Sequence, residues 1–475
     1  MLAIPAAPAT SSFSRRIVML PDPLRDFSAE FLLAETNRCV SCGLCLPHCP
    51  TYRLTLSEAD SPRGRIALIS GAVEERIPMN ARFASHIDSC LTCRACEAVC
   101  PNKVRFGQLM DGARAMMESL PPDPAGVRPT REKSGFRRWM ERELIARPAR
   151  IDALRSLARF YQQSGLQKWL RRSGLLEKVR LALLEAQLPR IGVPAGGAGS
   201  WGVVYPSIGR HRGEVGLFLG CVARLVDVET INAGIFVLNR LGYTVHVPRA
   251  QTCCGALHRH GGDPRMAEQL AYQNMKTFNE LNLDAVISMA SGCGAQLSES
   301  AATSSSVQTH ALRMDGKLSR EAPEGRQTGY FDAKVFDIGE FLAGAGGWDE
   351  VGFAPLPHTI AVHEPCSLRN VLRASRHAYA LLARIPEARI VPLGGNDQCC
   401  GAAGTYFLDQ PEMAQALLRD KLAAVEASGA RYLATSNIGC SMHIAAGLRA
   451  ALPGEATNVE VLHPITLLAR QMGII

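Results

Sequence analysis

The chain has 475 residues, 47% hydrophobic and 20% charged, with a formal net charge of +8. That length accommodates two or three domains with cores of their own, and no apolar stretch approaches the roughly 20 residues that a membrane-crossing helix needs. The charge excess sits between Arg128 and Arg190, where 16 Arg and Lys stand against 6 acidic residues; neither aromatic platforms nor a reading motif accompany it, which argues against nucleic acid.

The opening MLAIPAAPATSSFSRR places its arginines after the mildly apolar part, the reverse of a secretory signal. Residues 1–24 therefore read as a loose extension. Residues 25–120 follow as the first domain. Within it Cys39, Cys42, Cys45 and Cys49 precede Pro50, and Cys90, Cys93, Cys96 and Cys100 precede Pro101 with identical spacing. This is the ligand pattern of two [4Fe-4S] clusters. Three thiols two residues apart can wrap one face of a cubane within a single loop, while the fourth is carried away by its proline toward the neighbouring cluster. Zinc knuckles close with two pairs of ligands and leave the third close cysteine and the proline without a role. Such ligands must stay reduced, so a cytoplasmic setting is expected. Arg63 and Arg65 either tune a cluster through hydrogen bonds or serve as a helix cap and a surface pair.

Residues 121–213 form a basic helical connector. Ile151, Leu154, Leu157, Ala158 and Tyr161, then Trp169, Leu175, Leu176, Val179 and Leu183, recur at helical spacing. They predict two or three amphipathic helices with basic outer faces. Such a segment either covers the first domain or docks on an acidic partner or an anionic membrane surface. GAGSWG, Gly197–Gly202, matches G-x-G-x-x-G but follows Pro194 and leads into VVYP, so it reads as a flexible linker.

The other eight cysteines obey a second grammar. Cys221 is followed by Cys253, Cys254 and Cys293, and Cys366 by Cys399, Cys400 and Cys440, with spacings matched to within one residue. The repeat of about 146 residues divides the chain into 214–330 and 331–475, and the serine-rich stretch Ser298–Ser306 with the polar run to Lys334 reads as the connection. Short apolar strands over 215–219, 285–289, 359–363 and 432–435 precede cysteines, and helical patterns over 228–241, 264–281 and 411–427 lie between. That alternation predicts α/β units with parallel sheets, whose ligands gather at the carboxyl ends of the strands. The Cys253–Cys254 pair needs an irregular turn, which Gly255 permits. The fold class expected is thus mixed α+β and α/β, multidomain: a mostly helical ferredoxin module, a helical connector and a duplicated α/β unit. Redox or cluster chemistry at these thiols is preferred to buried cysteines acting as small hydrophobes.

Two cubane-ligand runs followed by two CCG units resemble the iron-sulfur subunits of bacterial glycolate oxidase. More distantly they resemble those of lactate utilisation systems, anaerobic glycerol-3-phosphate dehydrogenase and the CCG subunit of heterodisulfide reductase. The phrases that carry the resemblance are SPRGRI (61–66), DSCLTCRAC (88–96), ASGCGA (290–295), CCGAAGTY (399–406) and TSNIGC (435–440). Heterodisulfide reductase relatives end each unit in C-x-x-C, where a noncubane cluster performs chemistry; here Ala290 and Asn437 hold those places. An additional iron-sulfur cluster at the CCG motifs stays open on these grounds, with His363 and His260 as substitute ligands.

The resemblance implies an iron-sulfur subunit that takes electrons from a partner flavoprotein, which carries FAD and oxidises glycolate to glyoxylate, toward quinone or another membrane acceptor. Peripheral contact with the inner face of the membrane follows from that role. No catalytic residue is assigned to this chain. Crossed ligation is expected by analogy with two-cluster ferredoxins, with Cys39, Cys42, Cys45 and Cys100 on one cluster and Cys90, Cys93, Cys96 and Cys49 on the other. A lactate or glycerol-3-phosphate system, or a heterodisulfide-reductase-like thiol and cluster enzyme acting through the CCG units, are the alternatives.

Overall fold

A computed structural model describes residues 27–120, 139–178, 182–196, 200–300, 331, 334–451 and 459–474. The N-terminal extension and most of the connection between the repeats lie outside them.

The first domain is built from short helices, Ala29–Thr36, Pro50–Thr55, Pro62–Val73, Ala81–Asp88 and Phe106–Ser119. Ser28, Ser61 and Asn80 cap three of them by accepting backbone N–H groups, and Pro50 and Pro62 occupy first-turn positions where no N–H is needed. Leu32, Ile69, Ile87, Leu109, Met110 and Met117 form its fully buried core, with Cys90 and Cys96 packed into the same cluster.

The connector departs from the expected amphipathic stripe. On the helix Pro148–Gln163, Ile151 is buried but Leu157 and Phe160 are 63% and 64% exposed, and on Leu166–Ser173 Trp169 is 60% exposed. Charge takes the buried place instead. Arg155 is sealed under Trp201, donating to Asp152 and to the carbonyl of Arg224. Trp201, in the segment read as a flexible linker, is itself buried and donates to Asn232.

Two sheets follow. The first has the order β1-β3-β2-β4-β5, with β1 (Val204–Tyr205), β2 (Gly213–Phe218), β3 (Tyr243–His246), β4 (Ala285–Ser288) and β5 (Lys334–Asp337). The second has the order β7-β6-β8-β9, with β6 (Thr359–Val362), β7 (Arg389–Pro392), β8 (Tyr432–Ala434) and β9 (Glu460–Leu462). Every pairing is parallel except β1 with β3. β2 and β4 are covered on both faces, which is why they read as unbroken apolar runs. The expected mixed α/β multidomain architecture is what the chain adopts.

The boundary at 330/331 needs correction. β5 pairs with β4 and completes the first sheet, so the first unit runs at least through Asp337. Beyond it the units exchange helices. Ile338–Ala343, after β5, packs on Arg376–Leu382 of the second unit, and Pro464–Gln471, after β9, packs on Val228–Arg240 of the first. One apolar core therefore serves both: Val237, Leu238, Leu342, Leu382, Leu467 and Leu468 belong to a single buried cluster.

Candidate iron-sulfur sites

Two adjoining cavities lie in the first domain. One is lined by Cys39, Cys42, Cys45, Cys96 and Cys100, with Arg63 at its edge. The other is lined by Cys49, Cys90, Cys93 and Cys96, with Arg65 and Leu91. Each cavity thus meets three thiols from one run and the last thiol of the other, and Cys96 borders both. The loops that present them share a conformation. Ser41 and Gly43 have φ of +54° and +84°, and Thr92 and Arg94, at the same places in the second run, +52° and +59°. Left-handed backbone at non-glycine residues costs free energy and persists at ligand clamps because the surroundings enforce it.

Burial pushes the Cys45 thiol up to about 11 and raises Cys93 and Cys96 as well. Thiols so placed lose their protons only to a compensating positive charge, which a metal supplies; the donor set fits iron-sulfur ligation. The fourth thiol of the first run is positioned by a polar chain. Cys49 Sγ lies 3.2 Å from Thr51 Oγ1, which receives Arg65 Nη1 at 3.1 Å. Arg65, 1% exposed, also donates to the His86 carbonyl and to Ser89 Oγ. It is neither a cap nor a surface residue. Arg63 is the partly exposed one, bound to Glu58 and to the Ser41 carbonyl.

The CCG cysteines gather at the carboxyl ends of the parallel strands. In the first unit Cys253 Sγ stands 3.4 Å from Cys221 Sγ, and Cys254 bridges Cys253 and Cys293. In the second, Cys366 neighbours Cys399, Cys399 neighbours Cys400, and Cys400 neighbours Cys440, the last two with thiols within 4.8 Å of each other. Gly255 and Gly401 both turn through positive φ, +91° and +87°. A Cβ there would stand 2.9 and 2.7 Å from the carbonyls of Ala267 and Ala414, so the glycines are required by close approach as well as by backbone conformation.

The two histidines separate. His363 is buried, its Nδ1 2.9 Å from Thr435 Oγ1, and its ligand atom lies within 4.8 Å of the thiols of Cys400 and Cys440. Burial, helped by Lys421, drives its pKa down to about 3, so the ring is neutral. His260 instead binds Asp111 of the first domain at 2.8 Å with its side chain 42% exposed. It is a docking residue. Asn437, at the place of a missing cysteine, accepts from the N–H groups of Gly439 and Cys440 and donates to Ser291 of the first unit and to Ser367 of its own.

The ferredoxin domain seats on both units. Arg259 and His260 hold Asp111; burial works to raise that carboxyl, but His260, Arg259 and Arg114 outweigh it and leave it below its ordinary value. Arg94 pairs with Glu299. On the second unit, Asn370 donates to the Cys93 carbonyl and the Tyr406 hydroxyl to the Ser89 carbonyl, both at 2.8 Å. Leu91, Cys93, Cys366, Cys399 and Tyr406 pack as one cluster, so the second cavity backs directly on the second CCG site. Sequence reasoning missed Thr51, Asp111, Tyr406 and Lys421. Only Tyr406 carried a signal, as the last letter of CCGAAGTY.

Comparison with known proteins agrees with these features. Residues 35–104 match the 4Fe-4S dicluster domain, 215–298 and 360–445 the cysteine-rich CCG domain, and 132–188 the linker region of the glycolate oxidase iron-sulfur subunit. The chain is 34% identical over 450 residues to the probable glycolate oxidase iron-sulfur subunit of Bacillus subtilis, covering 92% of this chain and 94% of that one. It is 31% identical over 422 residues to the glycolate oxidase iron-sulfur subunit of Escherichia coli, covering 87% and 91%. Lactate utilization protein A of Geobacillus thermodenitrificans is 28% identical over 231 residues, 49% of this chain and 90% of that protein. Matched along nearly its whole length, connector included, the chain belongs to the glycolate oxidase iron-sulfur subunit family.

Proposed function

We propose that this chain is the electron-transfer subunit of a flavin-linked 2-hydroxy-acid dehydrogenase that oxidises glycolate to glyoxylate. A partner flavoprotein carrying FAD takes the electron pair from the substrate, and quinone or another membrane acceptor receives it in the end. The observation that carries the reading is the pair of adjoining thiol-lined cavities in a chain matched throughout to glycolate oxidase iron-sulfur subunits. Cys39, Cys42, Cys45 and Cys100 are assigned to one [4Fe-4S] cluster, and Cys90, Cys93, Cys96 and Cys49 to the other. Bound there, the two clusters supply one-electron storage between a two-electron oxidation and a distant acceptor.

The chain's own residues set the direction of traffic. Cys42 is exposed, and Val40 and Leu44 beside it are 67% and 56% exposed, so the first cavity faces an exchange partner while the second is covered by the CCG pair. Leu157, Phe160, Leu166 and Trp169 stand exposed on the connector helices that also carry Lys168, Arg171 and Arg172. Apolar side chains among cations suit an anionic lipid surface, where a quinone acceptor resides. No described helix is long and apolar enough to cross a membrane. Flotation with anionic vesicles is expected to capture the chain and to fail with Phe160→Ala/Trp169→Ala; equal capture of both proteins would remove the lipid contact from the proposal.

Glycolate added anaerobically to the chain together with its flavoprotein partner should produce the electron paramagnetic resonance signals of reduced clusters, whereas the isolated chain should not respond. Reduction of the isolated chain by glycolate would defeat the division of labour. The partial match to lactate utilization protein A favours a lactate system as second reading, to which reduction by lactate alone would shift the assignment.

A further inference from the structure

The two CCG units share one register, so their thiol sites can be compared position by position. Pro264 and Pro411 open equivalent helices, and the carbonyls that crowd Gly255 and Gly401 belong to Ala267 and Ala414, each three residues past that proline. In this register two positions beside the thiols differ in chemistry. Three residues before the first cysteine stands Phe218 in one unit and His363 in the other. Ten residues past the proline stands Asn274 in one and Lys421 in the other.

Phe218 packs on Phe278 at 6.3 Å between ring centroids, within an apolar cluster that includes Cys221, Cys253 and Cys254. Asn274 is consumed by backbone, accepting from Thr252 N–H at 2.7 Å and donating to the Cys253 carbonyl at 2.9 Å. Neither of these two places in the first unit carries an imidazole or an amine. The second site has both. His363 gives Nδ1 to Thr435 and keeps its other ring nitrogen, the arrangement by which protein histidines ligate metals. Lys421, 1% exposed, donates to the Gly395 carbonyl and faces Cys400, Cys399 and Cys440, with Asp397 a weaker influence. His363, Cys400 and Cys440 bring their ligand atoms within 4.8 Å of one another, the one such group of three found among the described residues.

We propose that the second CCG unit holds a third iron-sulfur cluster through Cys366, Cys399, Cys400, Cys440 and the imidazole of His363, and that the four thiols of the first unit hold no cluster and are structural. Five donors are one more than tetrahedral zinc accepts. Asn437, where relatives with a C-x-x-C ending place the fifth thiol, is engaged in capping its helix, so the imidazole takes the fifth place. The site lies against Cys93, in packing contact with the wall of the second ferredoxin cavity.

The test uses the full chain purified anaerobically and reconstituted with iron and sulfide, with iron, zinc and acid-labile sulfide counted. Wild type should hold roughly four iron atoms beyond the about eight of two cubanes. Cys400→Ser and Cys440→Ser should lose that excess and keep both ferredoxin signals, and Cys254→Ser and Cys293→Ser should lose nothing. Pulsed resonance should show nitrogen-14 coupling to one signal, absent in His363→Ala; His363→Cys should restore the iron without the coupling. An iron count of eight with both ferredoxin signals intact defeats the third site and leaves the two-cubane reading standing. Zinc in place of the excess iron, or equal loss in Cys254→Ser, overturns the proposal. Loss of the ferredoxin signals with the excess iron retained would overturn the two-cubane reading instead.

Discussion

The ferredoxin domain and the CCG pair each gather eight cysteines, and they do so by opposite means. In the ferredoxin domain three thiols come from a loop of seven residues, and the cost is local: left-handed backbone at Ser41, Thr92 and Arg94. Among the described residues no sheet stands beneath these loops, and the thiols of Cys90 and Cys96 belong to the core itself. In the CCG pair the cysteines are separated by tens of residues, and parallel strands bring them to one edge. There the positive-φ residues adjoining cysteines in the chain are glycines, Gly220, Gly255 and Gly401, and a large apolar core shared by both units carries the fold. Cys90 and Cys96 pack into the core of the ferredoxin domain, so site and fold stand or fall together there; the CCG cysteines lie in clusters apart from the larger core shared by the two units, so that fold stands without their ligands.

Replacing a single ferredoxin ligand should have the largest effect and also test crossed ligation. Cys49→Ser removes a thiol of the second cavity although it belongs to the first run. It should therefore cost about half of the ferredoxin iron. The resonance spectrum left should match that of Cys93→Ser; a match to Cys42→Ser would show that each run closes on its own iron. Next in size is Arg65→Ala, which leaves Thr51, Ser89, Asp60 and the His86 carbonyl without their buried partner. Removing one member of a buried ionic network costs about 3–5 kcal/mol. The melting temperature of the holoprotein should fall accordingly, and the second cluster's signal should bleach before the first. Equal bleaching of the two would break the link from Arg65 through Thr51 to Cys49.

This contrast also explains what the sequence made legible. The ferredoxin runs were readable because ligand spacing there is local, and the strands before Cys221, Cys293, Cys366 and Cys440 because parallel strands are apolar on both faces. β5 was not readable: Lys334–Asp337 carries a charge at each end and half-exposed apolar residues between, and only pairing with β4 identifies it. The helix exchange, Asp111 and Lys421 depend on contacts between distant segments, for which spacing gives no signal. The connector misled in a physical way. Leu157 and Trp169, at the helical spacing of a core face, point outward, and Arg155 points in.

The CCG pair should respond differently from the ferredoxin domain. Leu468, fully buried on the exchanged helix Pro464–Gln471, packs in the core common to both units. Leu468→Ala should cost about 2–5 kcal/mol. Because the helix belongs to the second unit and packs on the first, calorimetry should show one transition displaced as a whole, with the ferredoxin signals of the folded protein unchanged. Two separated CCG transitions would show that the shared core does not couple the units.

The smallest effect distinguishes the units from each other. Asp337 and His463 occupy equivalent places, each capping the exchanged helix after the last strand of its unit by accepting the N–H two residues on, at 2.8 and 3.1 Å. Burial acts on them in opposite senses, raising Asp337 to about 7 and lowering His463 to about 3. Both groups are neutral in the fold near pH 5, and the signs follow from that. Asp337, whose folded value lies above its unfolded one, contributes stability that is complete below about pH 4 and is lost as pH rises to 7. His463, whose folded value lies below its unfolded one, contributes stability that is complete above about pH 6.5 and is lost as pH falls toward 3. Asp337→Asn keeps a capping oxygen without the charge. It should flatten the alkaline limb of the stability profile, with a gain on the order of 1 kcal/mol or more at pH 8. His463→Asn should flatten only the acid limb. Denaturant midpoints measured from pH 4 to 8 check both, and a limb unmoved by its own substitution would assign that pH dependence to other groups.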